Sequence, residues 1–233
     1  AIWDSASENF DDTLLPALMQ SLKLALLTMP IATAIGVGLA IGLARWRGRG
    51  SGSANFLRLF PLVTPELVMG ASMFLIFSNL YHIRLGTMAQ LLGHITFSIS
   101  YVVIVTRGRL FAVGVDYEEA AMDLGASPGG ALRRVLIPLL APAILSSFFI
   151  VFAISIDDFV ISQYLCAQEC TTIPIKIYSA ARNAGNPSLN ALATIMMLLS
   201  LLSICIAVGI LHRFNRRRGS GQSAVEDFAR FEL

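Results

Sequence analysis

Two adjacent carboxylates, Asp157 and Asp158, end a long apolar stretch of the sequence, and a third acid, Glu66, interrupts another. A charged side chain is costly to expose to lipid, so acids in apolar segments usually face a watery path or another charge. These acids could compensate the charge of a cationic substrate. Neighbouring helical residues point about 100° apart, so we expect only one aspartate to face a path. Alternatively, Asp157 caps a broken helix or pairs with Lys176 or Arg182, which would stabilise a gate.

Other reactive residue types do not form a recognisable catalytic or metal site. His82, His94 and His212 are far apart in sequence, and we predict no metal cluster from them. His94 lies within an apolar run, where a packed hydrogen-bonding role between helices is favoured over ligation. The glycine-rich stretch at 48–53 lacks the lysine of a nucleotide-binding phosphate loop. A nucleophile paired with a base is also missing, which argues against a membrane enzyme.

Cys166 and Cys170 lie in a polar segment between two apolar runs. A disulfide between them would be permitted in an oxidising compartment. Their separation of four positions can be closed in a turn, although sequence does not reveal the required geometry. The sequence therefore leaves the bridge open.

The stretch at 115–138 is polar in an otherwise apolar chain. Asp116 and Glu119 have the spacing of a capping box, with Asp116 as the N-cap. Gly125 stands where a glycine ends a helix, and Ser127-Pro128 is typical of the start of another. Two short helices are therefore predicted, which either lie on the membrane as an amphipathic loop or enter a groove of another protein.

Composition predicts the class of protein in which these groups are placed. Hydrophobic residues make up 55% of the chain, and the mean hydropathy is +0.70. Apolar runs long enough to cross a bilayer, at about 20 residues each, are too many for a soluble core to absorb. An all-α integral membrane protein is predicted, because only helices and closed barrels satisfy their backbone groups in lipid. The predicted spans are 24–44, 59–80, 86–106, 135–158 and 189–211.

The distribution of basic residues predicts the orientation. Arginines concentrate between spans one and two, between spans three and four, and after span five. Positive charge is retained in the cytoplasm, so we expect segments 1–17 and 162–188 outside and segments 107–134 and 213–233 inside. The sequence starts without a methionine in a segment expected outside. As the explanation, a missing N-terminal span is favoured over a cleaved signal peptide.

The polar insert resembles the EAA motif of binding-protein-dependent ABC importer permeases. The matching residues are Glu119-Ala120-Ala121, then Gly125 after three residues, then Val135-Leu136-Ile137-Pro138 after nine more. Val135 and Ile137 depart conservatively from the isoleucine and leucine of that motif. The resemblance implies the type I (MetI-like) importer fold, with a five-helix core. It also implies coupling helices that dock on an ATPase, with Glu119, Ala120, Ala121, Leu124, Gly125 and Pro138 in the docking region.

The resemblance also implies the partners and the solute. A second permease, two ATPase subunits and an external binding protein are expected in a bacterial inner membrane, with ATP and Mg²⁺ bound by the ATPases and no nucleic acid. Segments such as 155–162, 173–179 and 64–70 are similar to the spermidine/putrescine branch. Import of iron, sulfate, phosphonate or sugar is the alternative within the family. A proton-coupled secondary transporter, with Glu66 and Asp158 as a relay, is an alternative of a different class.

Overall fold

The computed structural model describes residues 14–46, 48, 63–167, 170–181 and 187–217, in which every regular element is a helix. A π-helical turn at Ile76–Leu80 extends the helix Glu66–Leu75, and another at Leu132–Leu136 joins the helix Pro128–Ala131 to the helix Ile137–Asp157. The helices are α1 (Leu14–Arg45), α2 (Glu66–Leu75), α3 (Thr87–Val113), α4 (Asp116–Asp123), α5 (Pro128–Ala131), α6 (Ile137–Asp157), α7 (Val160–Leu165), α8 (Ile173–Ala181) and α9 (Pro187–Arg217). The predicted all-α class is confirmed.

Four stretches are long and apolar enough to cross a membrane: Leu14–Arg45, Thr87–Val113, Pro128–Asp157 and Ala193–Arg213. Glu66–Leu80 is a shorter apolar helix. The predicted span at 59–80 was wrong at its start, because the chain is not helical at Thr64-Pro65; residues 59–62 lie outside the described residues. Proline has no backbone donor and disfavours helix in the residue before it, so a new helix begins at Glu66.

Several helices extend beyond the predicted spans. The first begins at Leu14, inside the segment expected to be external, and the third continues to Val113, inside the expected insert. The predicted loop at 162–188 contains α8, and the last helix reaches Arg217. An apolar run marks only the part of a helix that suits lipid, and the same helix can continue through the polar residues on either side. The expectations for 1–13 and 218–233 lie outside the described residues.

Helices α1, α3 and α6 pack side by side, and α9 covers α6. One end of this bundle is marked by Gly86, whose N–H donates to the Leu165 carbonyl over 2.9 Å. The other end is marked by Val113, which packs with Leu136 and Leu140 in a buried apolar cluster. These are called the Gly86 end and the Val113 end. Helix α1 starts at the Gly86 end and α6 finishes there, so both candidate sites lie at defined ends of one bundle.

Close approach of α1 and α3 depends on Gly36. A Cβ atom at this position would lie 2.6 Å from the Cβ of Val102, which is fully buried. We expect Gly36→Ala to lower the thermal midpoint of the purified protein in detergent, since overpacking a core costs about 1 to 3 kcal/mol. Gly38→Ala is the matched control, because a Cβ there meets no atom within 4 Å. Equal midpoints for the two variants would contradict this account of the helix contact.

Candidate coupling surface and transport pathway

The polar insert forms two short helices joined by a left-handed turn at the Val113 end. Helix α4 ends in a Schellman arrangement, in which Gly125 N–H donates to Met122 O over 2.9 Å and Ala126 N–H donates to Ala121 O over 3.0 Å. Gly125 has a φ of +90°, which side-chain-bearing residues rarely adopt. Its predicted role as the helix-ending glycine is confirmed. Ser127 is the N-cap of α5, and its Oγ accepts from Gly130 N–H over 3.2 Å.

The start of α4 differs from the prediction. Asp116 was expected to be the N-cap, but it is the first helical residue, and Val115 occupies the cap without a side-chain hydrogen bond. Asp116, Glu118 and Glu119 all lie in the first turn instead. Acids there are favoured by the positive end of the helix dipole, which explains the acidic start without a capping box.

Most residues of the expected docking region are exposed at the Val113 end, whereas Leu136 of the motif is buried in the apolar cluster there. Leu124 is 91% exposed, and the other exposed members are Glu119, Ala120, Gly125 and Pro138, with Ala121 half-buried. Glu118, next to these residues, pairs with Arg45 at the end of α1. This ion pair ties α4 to the membrane bundle while Leu124 and the small residues face outward. An apolar, shallow surface of this kind can accept a close-fitting partner.

The pair of aspartates lies where a helix breaks at the Gly86 end. Helix α6 ends at Asp157, Asp158 is extended, and α7 starts two residues later. The Asp158 carboxylate accepts from Ser162 N–H over 2.8 Å and from Ile161 N–H over 3.4 Å. It thereby satisfies free donors at the start of α7. The alternative prediction that Asp157 caps the broken helix was wrong, because the side chain that accepts from the first donors of α7 is that of Asp158. The other form of that alternative, pairing of Asp157 with Lys176 or Arg182, stays a prediction, and Arg182 lies outside the described residues.

His94 joins the two sides of this break. Its Nε2 lies 3.2 Å from Asp158 Oδ2 and 3.0 Å from Ser162 Oγ, and its Nδ1 lies 2.7 Å from Ser155 Oγ. His94 and Asp158 are 2% and 7% exposed. Because an ionised carboxylate only accepts hydrogen bonds, Nε2 is the donor to Asp158. The predicted role of His94 as a packed hydrogen bonder between helices is confirmed.

The chain between α7 and α8 is held against the bundle by a buried glutamine. Gln90 Nε2 donates to Ser162 O over 3.1 Å and to Cys170 O over 3.0 Å, and its Oε1 accepts from Gln20. Cys166 and Cys170 form a disulfide in this turn, with Cα atoms 5.4 Å apart. The turn thus has one covalent closure and is anchored to α3 by Gln90. Ile173 N–H at the start of α8 also donates to Ser21 Oγ of α1 over 3.0 Å, which ties α8 to the bundle.

Asp157 points away from the buried network into a cavity of about 440 Å³ between the end of α6, α8 and α9. The cavity is within the range of small-molecule sites, which is roughly 300 to 1,000 Å³. Tyr178 also lines it and packs against Phe159, with ring centroids 4.6 Å apart and ring planes tilted by 36°. The remaining walls are formed by Ile173, Pro174, Ile177, Ala193, Met196 and Met197. One carboxylate and one aromatic ring therefore share a mostly apolar cavity.

Glu66 lies beside Asp158, within electrostatic range of His94. The predicted span at 59–80 would put Glu66 about two turns inside a helix, and that position was wrong. The break at Pro65 starts α2 at the depth of the α6–α7 break, so Glu66 is its first residue. The structure thus brings Glu66 and Asp158 together and turns Asp157 toward a separate cavity.

Gln90 and Tyr178 are functional residues that the sequence analysis did not predict. Gln90 is an uncharged polar residue in an apolar span and is completely buried, so its amide needs partners. That pattern could have marked it as an anchor. Tyr178 follows an apolar segment, and nothing local indicates that its ring meets Phe159.

Comparison with known proteins gives matches over most of the chain. The profile of the family described as "Binding-protein-dependent transport system inner membrane component" matches residues 32–220. The spermidine/putrescine transport system permease protein PotC of Escherichia coli (strain K12) is 36% identical over 219 residues, which cover 94% of this chain and 82% of that protein. The putrescine transport system permease protein PotI of the same strain is 37% identical over 142 residues, covering 59% and 50%.

The helical architecture matches a solved ABC importer. An inward-facing structure of the MetNI methionine ABC transporter aligns with a TM-score of 0.70 and 14% sequence identity, covering 86% of this chain and 95% of that one. This likeness supports the type I importer permease fold, and the profile covers the helices that carry both sites. The chain therefore belongs to the family of binding-protein-dependent transport system inner membrane components, the permease subunits of ABC importers.

Proposed function

We propose that this chain is the membrane-spanning subunit of an ATP-driven importer for polyamines such as putrescine and spermidine. The observation that carries the proposal is the cavity that combines the Asp157 carboxylate with an aromatic ring and apolar walls. A carboxylate can pair with a terminal ammonium group, and the Tyr178 ring can attract the same cation through its face. Apolar walls suit the methylene chain between the ammonium groups. The relatives named for polyamine transport support the same solute class.

Coupling to ATP is assigned to the exposed insert at the Val113 end. Leu124 and its small neighbours offer an apolar surface, and Gly125 allows close backbone approach. Each of two ATPase subunits would bind ATP and Mg²⁺, with this surface docked on one of them. Arg133 and Arg134 beside the insert favour placing this end in the cytoplasm. The start of α1 would then face the external side.

The remaining partners follow from the same assembly. A second permease subunit would complete the translocation path, and an external binding protein would deliver the polyamine at the Gly86 end. Exposed apolar residues of α9 are available to lipid or to that second permease; examples are Leu198, Leu201 and Leu202. Movement of the coupling helices during the ATP cycle would alternate access to the path between the two sides.

A second candidate function is proton-coupled transport. It is favoured by one observation, which is that Glu66, Asp158 and His94 lie close together across helices α2, α3 and the α6–α7 break. Such a group could relay protons. Uptake that persists after nucleotide depletion under an imposed proton gradient would support this candidate against the ATP-driven importer.

The proposed function is tested with the assembled importer in proteoliposomes. We expect ATPase activity to be stimulated by the external binding protein loaded with putrescine or spermidine. The same binding protein should give no stimulation with iron, sulfate, a phosphonate or a sugar. Stimulation by one of these other solutes, without a response to either polyamine, would overturn the polyamine assignment while leaving the importer class in place.

A further inference from the structure

We propose that His94 is the positioning residue that decides which of the two adjacent aspartates faces the cavity. The proposal rests on the role of Asp157 given above and adds a device that holds it. His94 belongs to α3, whereas Asp157 and Asp158 lie at the break after α6. The imidazole therefore acts from a different helix on the orientation of the break.

The contacts of His94 reach each segment that meets at the break. Nδ1 lies 2.7 Å from the Ser155 hydroxyl in the last turn of α6, and Nε2 lies 3.0 Å from the Ser162 hydroxyl in α7. Between them, Nε2 lies 3.2 Å from the Asp158 carboxylate. All four side chains are buried in the chain. A single ring thus fixes the end of one helix, the start of the next and the residue between them.

This arrangement separates the roles of the two acids. Asp158 uses its oxygens on His94 and on the backbone donors of Ile161 and Ser162. Those bonds keep it buried. Asp157 is the exposed member of the pair and lines the cavity. Because the two residues are adjacent, holding one inward holds the other outward.

Loss of the imidazole would leave Asp158 as a buried charge with fewer donors, which is unfavourable. The charge can be relieved by turning the 157–159 segment so that Asp158 reaches water. That rotation would carry residue 157 away from the cavity. We therefore expect His94→Ala to change the exposure of residue 157, and not only to destabilise the fold.

The test uses Asp157→Cys with Cys205→Ala in the assembled importer in membrane vesicles, labelled with a cationic methanethiosulfonate reagent. We expect adding His94→Ala to slow labelling about tenfold, in line with the loss of a charge-assisted hydrogen bond. Replacing His94 with glutamine instead should restore the rate, because the glutamine Nε2 can donate from a position similar to that of the imidazole Nε2. Ile95→Ala is the matched control, since it removes a buried apolar side chain from the same helix without touching the network.

Equal labelling rates with and without His94→Ala would overturn the proposal, as would an equal slowing by Ile95→Ala. Failure of His94→Gln to restore the rate, with normal amounts of protein, would also overturn it. The labelling rate is read without any polyamine, so it does not depend on which solute is carried. The solute is tested separately in the importer that keeps Asp157, by ATPase stimulation with the polyamine-loaded binding protein, and a failure there alone would count against the proposed solute only.

Discussion

Replacing Asp157 with asparagine is expected to lower polyamine uptake about ten- to hundredfold while the protein still assembles. The carboxylate faces the cavity and is the only acid that lines it among the described residues. A hydrogen bond to a charged group is worth about 1.5 to 3 kcal/mol, which corresponds to that range if the contact limits transport. Asparagine nearly preserves the volume, so the apolar walls should remain packed. Uptake of radiolabelled putrescine and spermidine, at matched amounts of importer, measures the effect.

Asp158→Asn is the matched comparison, because it makes the same change one residue away. Asp158 is buried and caps α7 while it meets His94. We expect this variant to reduce assembly or to release basal ATPase activity, for any solute, without a change in the polyamine concentration for half-maximal uptake. Unchanged polyamine uptake by both variants would remove the two aspartates from the pathway. A selective loss in Asp158→Asn alone would reverse the roles assigned to them.

Gly125→Asp is expected to abolish stimulation of the ATPase by the loaded binding protein and to reduce transport correspondingly. Gly125 has a φ of +90°, where a side chain costs about 1 to 2 kcal/mol in local strain. A Cβ at this position meets no atom of the chain within 4 Å, so the membrane bundle should be unaffected. The new carboxylate would project from an exposed turn beside Leu124. Its effect should therefore fall on the docked partner. ATPase activity of the reconstituted importer is the measurement.

Gly129→Asp is a suitable control for this variant. It introduces the same side chain four residues away, also at an exposed position where a Cβ meets no neighbour. The φ of Gly129 is not positive, so the two variants share the added charge but not the backbone strain. Coupling should be weakened much less than by Gly125→Asp. A fully expressed Gly125→Asp importer with normal stimulation would show that this turn is not the docking surface.

The insert was largely predictable because its signals are local. Gly125 and Ser127-Pro128 mark helix ends through their own backbone preferences, and both were placed correctly. Asp116 failed as the predicted cap because acids also favour the first helical turn, and spacing does not separate the two positions. Leu124 is the C-cap of this eight-residue helix and is exposed.

The candidate pathway was predicted only in part. The sequence shows the three acids, and it predicted that one aspartate of the pair would face a path. The position of Glu66 was predicted wrongly, because the helix break at Pro65 was taken as part of one long apolar span. The cavity wall formed by Tyr178 and α9 had no local signal.

The sequence by itself determined the membrane class, the helical architecture, the polar insert and the family resemblance. These depend on composition, on helix-end preferences and on a short motif, all of which are properties of neighbouring residues. The tertiary structure decided that Asp158 is buried and Asp157 is open. That choice depends on His94, which meets Ser155 and Ser162 from 61 and 68 positions away. The rotation and depth of a helix are set by the partners packed around it, so only folding brings the deciding contacts together.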